Sequence, residues 1–198
     1  LLITVSNGIL SSNQIKFLPE LPEYKAAAIR NLPMATLNKV CLCFQDRTFQ
    51  KNQEGWYVVC SGNSETLISS VLSFEIRRSP KNHMIIFFGG KEAKELELSP
   101  KKVLRRIRLM LSNTFGNDLL ERITKSITST WGLDEYSLGS YSYALPGKNK
   151  YRDLLKKNIE DTLFFAGEAT EKDHYGTCHG AYFSGVSAAK EIISKLKP

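Results

Sequence analysis

The stretch LFFAGEATEKDHYGTCHGAYFSGVSAA at residues 163–189 decides how this chain folds at its end and what it can hold there. Its first four residues are apolar and predict a buried strand, which Gly167 ends and Glu168 follows with a carboxylate. Gly176 and Gly180 then flank the start of a long helix. The first amides of a helix lack intrahelical acceptors and carry the positive end of its dipole. The arrangement therefore suits an anion or an electron-rich carbonyl.

The predicted final helix is amphipathic. An apolar stripe recurs at steps of four, three, four and three residues, at Tyr182, Val186, Ala189, Ile193 and Leu196. Small residues close to the helix start would let a flat ring approach the backbone, at Gly176, Gly180, Ala181, Ser184 and Gly185. The pattern predicts a helix that docks a planar group at its amino end.

Upstream, the sequence predicts an α+β fold. Residues 1–5 have the β-branched character of a buried strand. Alternating and apolar runs then predict an antiparallel or mixed sheet, with strands at 37–44, 56–61, 66–76 and 84–88. Pro22 introduces a helix at about 22–31. The pair Ser99-Pro100 predicts a second helix, with a capping hydroxyl before a first-turn proline and Gly116 at its end.

Composition excludes several classes of function. The net charge of +7 is spread along the chain without aromatic interleaving, so we expect a solvated surface and no nucleic-acid partner. No apolar run approaches the roughly 20 residues of a membrane span, and we expect no signal peptide. The cysteines form no CxxC motif, and no histidines stand at zinc-ligand spacing. We therefore expect reduced thiols, no metal, no membrane partner and a cytoplasmic location.

Residues 163–189 resemble the C-terminal flavin-binding signature of the flavin-containing amine oxidases, which include monoamine oxidases, polyamine oxidases and lysine-specific histone demethylases. GSYSY at 139–143 and LNKV at 37–40 agree with that family and stand in the same order upstream. The resemblance covers nearly the whole chain and is weakest across 45–99. It implies a mixed-sheet substrate domain flanked by helices, plus the returning segment of a Rossmann-like FAD-binding domain.

The resemblance also implies a domain organisation. Residues 1–18 would end a first FAD-domain segment, 19–135 would form the substrate-binding domain, and 136–198 would form the C-terminal FAD-binding segment. No GxGxxG motif is present for the adenosine half of FAD, and the chain begins at Leu1 without methionine. We therefore expect the carboxyl-terminal part of a longer flavoenzyme, inactive without its N-terminal FAD-binding part.

Two residues are implied to be catalytic. Lys39, in the LNKV motif, would lie beside the flavin and hold a water near its N5 atom, where a fixed cation stabilises developing negative charge. Tyr141, the first tyrosine of GSYSY, would face the substrate pocket as an aromatic wall. A desolvated aromatic wall binds an amine and favours its neutral form.

The remaining implied residues contact the cofactor or shape the pocket. Thr177 stands where monoamine oxidases carry a second tyrosine, which suggests a wider slot for a longer amine. Ser140 stands where covalent members carry cysteine, so FAD would be held non-covalently. His179 is interpreted as a positioning residue and not as a base. The implied cofactor contacts are Trp131, Gly167, Glu168, Gly176, Thr177, Cys178 and Ala181.

The leading hypothesis is FAD-dependent oxidation of an amine C–N bond, of polyamine-oxidase type. The substrate would pass a hydride to flavin N5, and O2 would be reduced to hydrogen peroxide. Two alternatives stay open. One is a non-catalytic fragment that serves as a structural or interaction module. The other is a flavin oxidoreductase of the same fold that acts on an amino acid or a carotenoid precursor.

Overall fold

The computed structural model describes residues 1–60, 71–78 and 81–196. It divides into two compact units, one formed by Leu1–Thr36 with Trp131–Pro198 and the other by Leu37–Thr130. Part of the predicted strand at 66–76, and residue 61, lie outside the described residues. The domain boundaries that the resemblance implied stay a prediction.

The secondary structure follows the sequence pattern closely. The α-helices of the described residues are α1 (Asn7–Ser11), α2 (Glu23–Asn31), α3 (Gly90–Leu98), α4 (Pro100–Phe115), α5 (Asn117–Glu121), α6 (Tyr151–Lys156) and α7 (Cys178–Leu196). The strands are β1 (Leu2–Ile3), β2 (Met34–Ala35), β3 (Leu37–Phe44), β4 (Gly55–Cys60), β5 (Val71–Arg77), β6 (His83–Gly89), β7 (Ile123–Thr128), β8 (Tyr141–Ser142) and β9 (Phe164–Phe165). The predicted helices at 22–31 and from Pro100 to Gly116 are confirmed.

The first unit contains two small strand pairs and a helical core. Strands β1 and β9 run parallel, with Leu2 opposite Phe164, and β2 pairs antiparallel with β8. Strand β9 is buried, as predicted. The prediction of a buried strand at residues 1–5 is wrong in extent and burial, because β1 has two residues and Leu1, Leu2 and Val5 are exposed. Helix α2 contributes the core residues Ala28 and Ile29, the residue that follows it contributes Leu32, and α6 contributes Leu155.

The second unit is an antiparallel sheet covered on one face by helices. Its five strands lie in the order β4-β5-β6-β3-β7. Alternate residues of β3, which are Val40, Leu42 and Phe44, are buried against the apolar face of α4. That face contains Val103, Ile107 and Leu111, as the helical period predicts.

Helix α4 begins and ends where the sequence predicts. Pro100 is its first residue, and Gly116 ends it with φ +84°, in the left-handed region that favours glycine. The prediction that the Ser99 hydroxyl caps this helix is wrong, because the Ser99 side chain makes no hydrogen bond to the helix start. A first-turn proline has already removed one of the amides that a cap would satisfy.

Helix α7 forms as predicted, but a different stripe of it is buried. Gly180, Ser184 and Ala188 are its buried residues, at steps of four. The apolar stripe faces outward in this chain, with exposed fractions of 68% at Tyr182 and 77% at Leu196. Small side chains let the helix approach β9 closely, whereas the larger ones would hold it away. In the described part of the chain, no helix combines the length and the apolar character that crossing a membrane requires.

Candidate active site

A cavity of about 250 Å³ lies in the first unit, at the carboxyl ends of the parallel strands β1 and β9. Gly167 and Glu168 line it from the turn after β9, and Ala181 lines it from the first turns of α7. Thr4 and Asn7 line it from the segment after β1. Parallel α/β sheets bind their ligands in the crevice outside the carboxyl ends of the strands, so the position of this cavity is that of a ligand site.

Glu168 joins the turn after β9 to two other segments. Its carboxylate accepts hydrogen bonds from the Ser142 amide at 2.8 Å and the Ser142 hydroxyl at 2.9 Å. It accepts a third from the amide of Gly176 at 2.7 Å. A carboxylate has about four acceptor positions, so one remains for a ligand hydroxyl in the cavity. The predicted contact between Glu168 and the cofactor stays a prediction.

Tyr141 lies in β8, beside the turn that precedes α7. A β-carbon added at Gly176 would lie 3.4 Å from Cδ2 of the Tyr141 ring, which shows how closely the ring packs on this turn. Gly176 has φ +67° and permits the tight approach. The structure thus brings Tyr141, Glu168, Gly176 and Thr177 together within one compact unit.

Thr177 caps the start of α7. Its hydroxyl accepts a hydrogen bond from the Gly180 amide at 3.0 Å and donates one to the carbonyl of His174 at 2.6 Å. The amide of Ala181 donates to the Thr177 carbonyl at 3.1 Å. The amides of Cys178 and His179 precede that bond, and these are the groups that a helix leaves for caps or ligands.

Gly167 and Trp131 are two further predicted cofactor contacts, and they occupy different parts of the first unit. The amide of Gly167 donates a 2.6 Å hydrogen bond to the Ser184 hydroxyl, which holds the turn against α7. Trp131 is half-exposed in the same unit, and its carbonyl accepts a 2.8 Å hydrogen bond from the Gly139 amide. Of the predicted site residues in this unit, Gly167, Glu168 and Ala181 line the cavity. The others do not, and their predicted contacts stay predictions: Trp131, Tyr141, Gly176, Thr177 and Cys178.

Asn7 also lines the cavity and was missed by sequence reasoning. Its side chain is 1% exposed, and its amide nitrogen donates to the carbonyls of Ile29 at 2.9 Å and Leu32 at 2.5 Å. Among the described residues, Oδ1 of Asn7 finds no hydrogen-bond partner. Buried acceptors are normally satisfied, so this atom is an exception within the described part of the chain.

The residues around the cavity fit a flavin cofactor. The helix start beside Thr177 suits negative charge, and the small residues Gly167 and Ala181 leave room at the backbone. Within residues 1–60, 71–78 and 81–196, no cluster of histidine, cysteine, aspartate or glutamate could hold a metal ion.

Lys39 belongs to the second unit. It lies in β3, on the sheet face opposite the core, and its side chain is exposed. Ser129 of the adjoining segment fixes its backbone, with a 2.8 Å bond from the Lys39 amide to the Ser129 hydroxyl. Its Nζ atom lies 5.5 Å from the ring centre of Phe87, which stacks on Trp56 at 4.9 Å. The ammonium is thus held over an aromatic pair on the open face of the sheet.

The same sheet face carries two of the cysteines. Cys41 and Cys43 are half-buried free thiols. Burial, and to a smaller extent the neighbouring Cys43, raise the pKa of the Cys41 thiol to about 11. Cys178 is also a free thiol and is exposed at the start of α7.

Comparison with known proteins identifies the family. The sequence model for the flavin containing amine oxidoreductases matches residues 1–193. The chain is 36% identical over 197 residues to "Polyamine oxidase 4" of Oryza sativa subsp. japonica, covering 98% of this chain and 39% of that protein. It is 33% identical over 199 residues to "Lysine-specific histone demethylase 1 homolog 3" of Arabidopsis thaliana, covering 99% of this chain and 12% of that protein. The chain therefore belongs to the flavin-containing amine oxidoreductase family, as the resemblance predicted.

Solved structures confirm the fold class. A triple variant of putrescine oxidase superposes with a TM-score of 0.76 at 18% identity, covering 98% of this chain and 42% of that one. Cyclohexylamine oxidase from Brevibacterium oxydans gives 0.73 at 20% identity, covering 100% and 43%. These likenesses establish the α+β fold. The chain spans less than half the length of these proteins and of the two curated relatives.

Proposed function

We propose that the full-length protein is an FAD-dependent amine oxidase of polyamine-oxidase type. The reaction would convert an amine C–N bond to an imine, with loss of a hydride from carbon and a proton from nitrogen. Bound FAD would supply the hydride acceptor, its N5 atom, and O2 would take the electron pair and two protons to give hydrogen peroxide. The observation that supports this best is the cluster of Tyr141, Glu168 and Gly176 beside the α7 start, in a chain of this family.

The cofactor would be held non-covalently by the first unit. The amides at the start of α7 would face its electron-rich carbonyl edge, where the helix dipole favours negative charge. Glu168 would use its remaining acceptor position on a ribityl hydroxyl. The backbone around it would be formed by Gly167, Gly176, Thr177, Cys178 and Ala181. Trp131 would be a further contact. With serine at position 140, the chain offers no thiol there for a covalent bond to the flavin.

The amine would be oriented by Tyr141. Its ring is half-buried against Gly176, so an amine that reaches it loses much of its hydration. Desolvation disfavours the charged ammonium and promotes the neutral amine that the reaction needs. Thr177, smaller than tyrosine, would leave a wider slot for an extended amine. Lys39 would hold a water beside the flavin and stabilise the charge that develops when oxygen is reduced.

The partner implied for this chain is an N-terminal FAD-binding part of the same protein. The outward stripe of α7 is apolar over several turns, and a parallel pair such as β1 with β9 is rarely stable by itself. Both features suit a larger sheet and helix layer that would complete the dinucleotide-binding domain. The isolated 198 residues would then bind FAD poorly and would not turn over. A cytoplasmic location stays part of the proposal, supported by the free thiols.

The test is amine-dependent peroxide release by the purified full-length protein. We expect flavin absorbance, and peroxide with spermine as substrate but not with amino acids. Peroxide with amino acids alone would instead favour the oxidoreductase of the same fold. A protein that binds no flavin and releases no peroxide with any amine would reject the proposal and favour an interaction module.

A further inference from the structure

Arg152 is a fully buried cation next to the candidate site. It lies in α6, outside the three stretches that resemble the family, and its exposed fraction is 0%. Its Nη1 donates to the Ser142 hydroxyl at 2.8 Å and to the Ala169 carbonyl at 3.0 Å. Its Nε donates to Oδ1 of Asn149 at 3.2 Å, and its Nη2 donates to the Ser142 carbonyl at 3.4 Å.

Burying a guanidinium is costly, so its surroundings must compensate. Burial lowers the pKa of Arg152, while the negative charge of Glu168 opposes that shift. The guanidinium also lies 4.2 Å from the ring centre of Tyr175. Replacing a buried ion network by apolar residues is often neutral or stabilising. Its presence here is therefore weak evidence for a purely stabilising role and calls for another explanation.

The contacts of Arg152 connect it to the site by one route. The Ser142 hydroxyl accepts from Arg152 and donates to Glu168, at 2.8 and 2.9 Å. Glu168 in turn accepts from the amide of Gly176 at 2.7 Å. Three consecutive hydrogen bonds thus run from α6 to the turn before α7. Two members of this route adjoin predicted site residues, because Tyr141 precedes Ser142 and Thr177 follows Gly176.

We propose that Arg152 is a positioning residue that, through Ser142 and Glu168, sets the distance between the Tyr141 ring and the Thr177 cap. This inference rests on the proposed function for its catalytic consequence. A planar guanidinium is required, because one side chain reaches the hydroxyl and carbonyl of Ser142, the Ala169 carbonyl and Asn149 together. A lysine would keep the charge and reach fewer of these atoms.

The experiment compares variants of the full-length flavoprotein at saturating FAD. Arg152→Met removes the cation, Arg152→Lys keeps it, and Ser142→Ala removes the bridge while both charges remain. Leu32→Ala is the matched control for lost stability, because Leu32 is fully buried in the same unit and does not line the cavity. Two quantities are measured: the limiting rate of anaerobic flavin reduction by spermine, and the ¹⁹F resonance of 3-fluorotyrosine incorporated at position 141.

We expect Arg152→Met and Ser142→Ala to lower the limiting reduction rate by roughly 10- to 100-fold, as small misplacements do in active sites. Both should shift or broaden the fluorine resonance, and Arg152→Lys should fall between them and the wild type. Leu32→Ala should lower the melting temperature without changing the rate or the resonance. If Arg152→Met fails to fold, Ser142→Ala and Arg152→Lys decide the matter.

Unchanged rates and an unchanged resonance in the folded variants would overturn the inference. The failure of the proposed function has a different signature. If the wild-type protein oxidises no amine, the reduction rate is lost for every variant. The fluorine resonance then still reports whether Arg152 positions Tyr141, since that measurement needs no turnover.

Discussion

The amide of Gly167 donates a 2.6 Å hydrogen bond to the hydroxyl of Ser184, and this bond fixes the turn after β9 to the middle of α7. Ser184 is 1% exposed, so the amide has no ready access to water as a substitute. Gly167 adopts φ +137°, a conformation that side-chain-bearing residues rarely adopt. The turn that lines the cavity is therefore held by one bond to a helix that lies against it.

Ser184→Ala should destabilise the protein and loosen the cavity. Removing the hydroxyl leaves a buried amide without its acceptor, which costs about 1–3 kcal/mol. Chemical unfolding of the full-length protein measures this loss, and FAD titration should show weaker binding. The control is Ser194→Ala in the same helix, where an exposed hydroxyl bonds only the helix carbonyl of Glu191. Equal unfolding midpoints for the two variants would contradict the role assigned to Ser184.

Two glycines of α7 should respond to alanine in opposite ways. A β-carbon at Gly180 would lie 2.0 Å from the His174 carbonyl oxygen, a backbone atom that cannot swing aside. Gly180→Ala must therefore displace the segment before the helix and disturb the Thr177 cap. At Gly185 the added carbon meets nothing within 4 Å, so alanine should stabilise the helix by about 0.5–1 kcal/mol. Melting temperatures of the two variants test the contrast, which fails if both shift in the same direction.

Features that depend on neighbouring residues could be predicted from the sequence, whereas features that depend on contacts between distant segments could not. Strand β3 has the predicted bounds, because alternation is a local signal that both the core and the open face require. The extent of α7 could also be predicted from a local signal, the helical period of its apolar residues. Its buried face was not predicted, since periodicity identifies stripes but not which one packs inside this part of the chain.

The candidate site was predicted where the family motif supplied residues. Glu168 and Gly176 are eight residues apart, and their bond lies inside the quoted stretch. Asn7 and Arg152 were missed because their partners are distant in sequence. Asn7 bonds residues 22 and 25 positions away. A buried polar side chain with remote partners has no periodic or spacing signature, and its role becomes visible only in the fold.

Lys25 should make the stability of the protein depend on alkaline pH. It is fully buried, and Nζ donates to the carbonyls of Leu154, Leu155 and Lys157 at the end of α6. Burial, and to a smaller extent the charge of Lys157, lower its pKa from 10.5 to about 7. Between these values the unfolded chain holds a proton that the folded chain releases, so stability rises with pH across this window.

The measurement is the urea midpoint at pH 7 and at pH 9.5 for the wild type and Lys25→Met. The wild type should gain stability, on the order of 2 kcal/mol, relative to the variant over this interval. The variant corrects for other groups that titrate in the same range. A pH response that is identical in the two proteins would show that Lys25 does not carry the effect.

Lys39→Met should slow the reaction of the reduced enzyme with oxygen. The Lys39 ammonium lies over the Phe87 ring on the open face of the sheet, and methionine keeps much of the bulk without the charge. A fixed cation stabilises the negative charge that oxygen acquires, so its loss should lower the reoxidation rate roughly 100-fold.

Lys125→Met is the matched control, because Lys125 is an exposed lysine of β7 paired with Cys43 on the same face of the sheet. Stopped-flow mixing of each reduced full-length protein with oxygenated buffer gives the rate. Wild-type reoxidation in Lys39→Met would remove Lys39 from the mechanism, while slow reoxidation in both variants would indicate a general field of the sheet face and not a specific lysine.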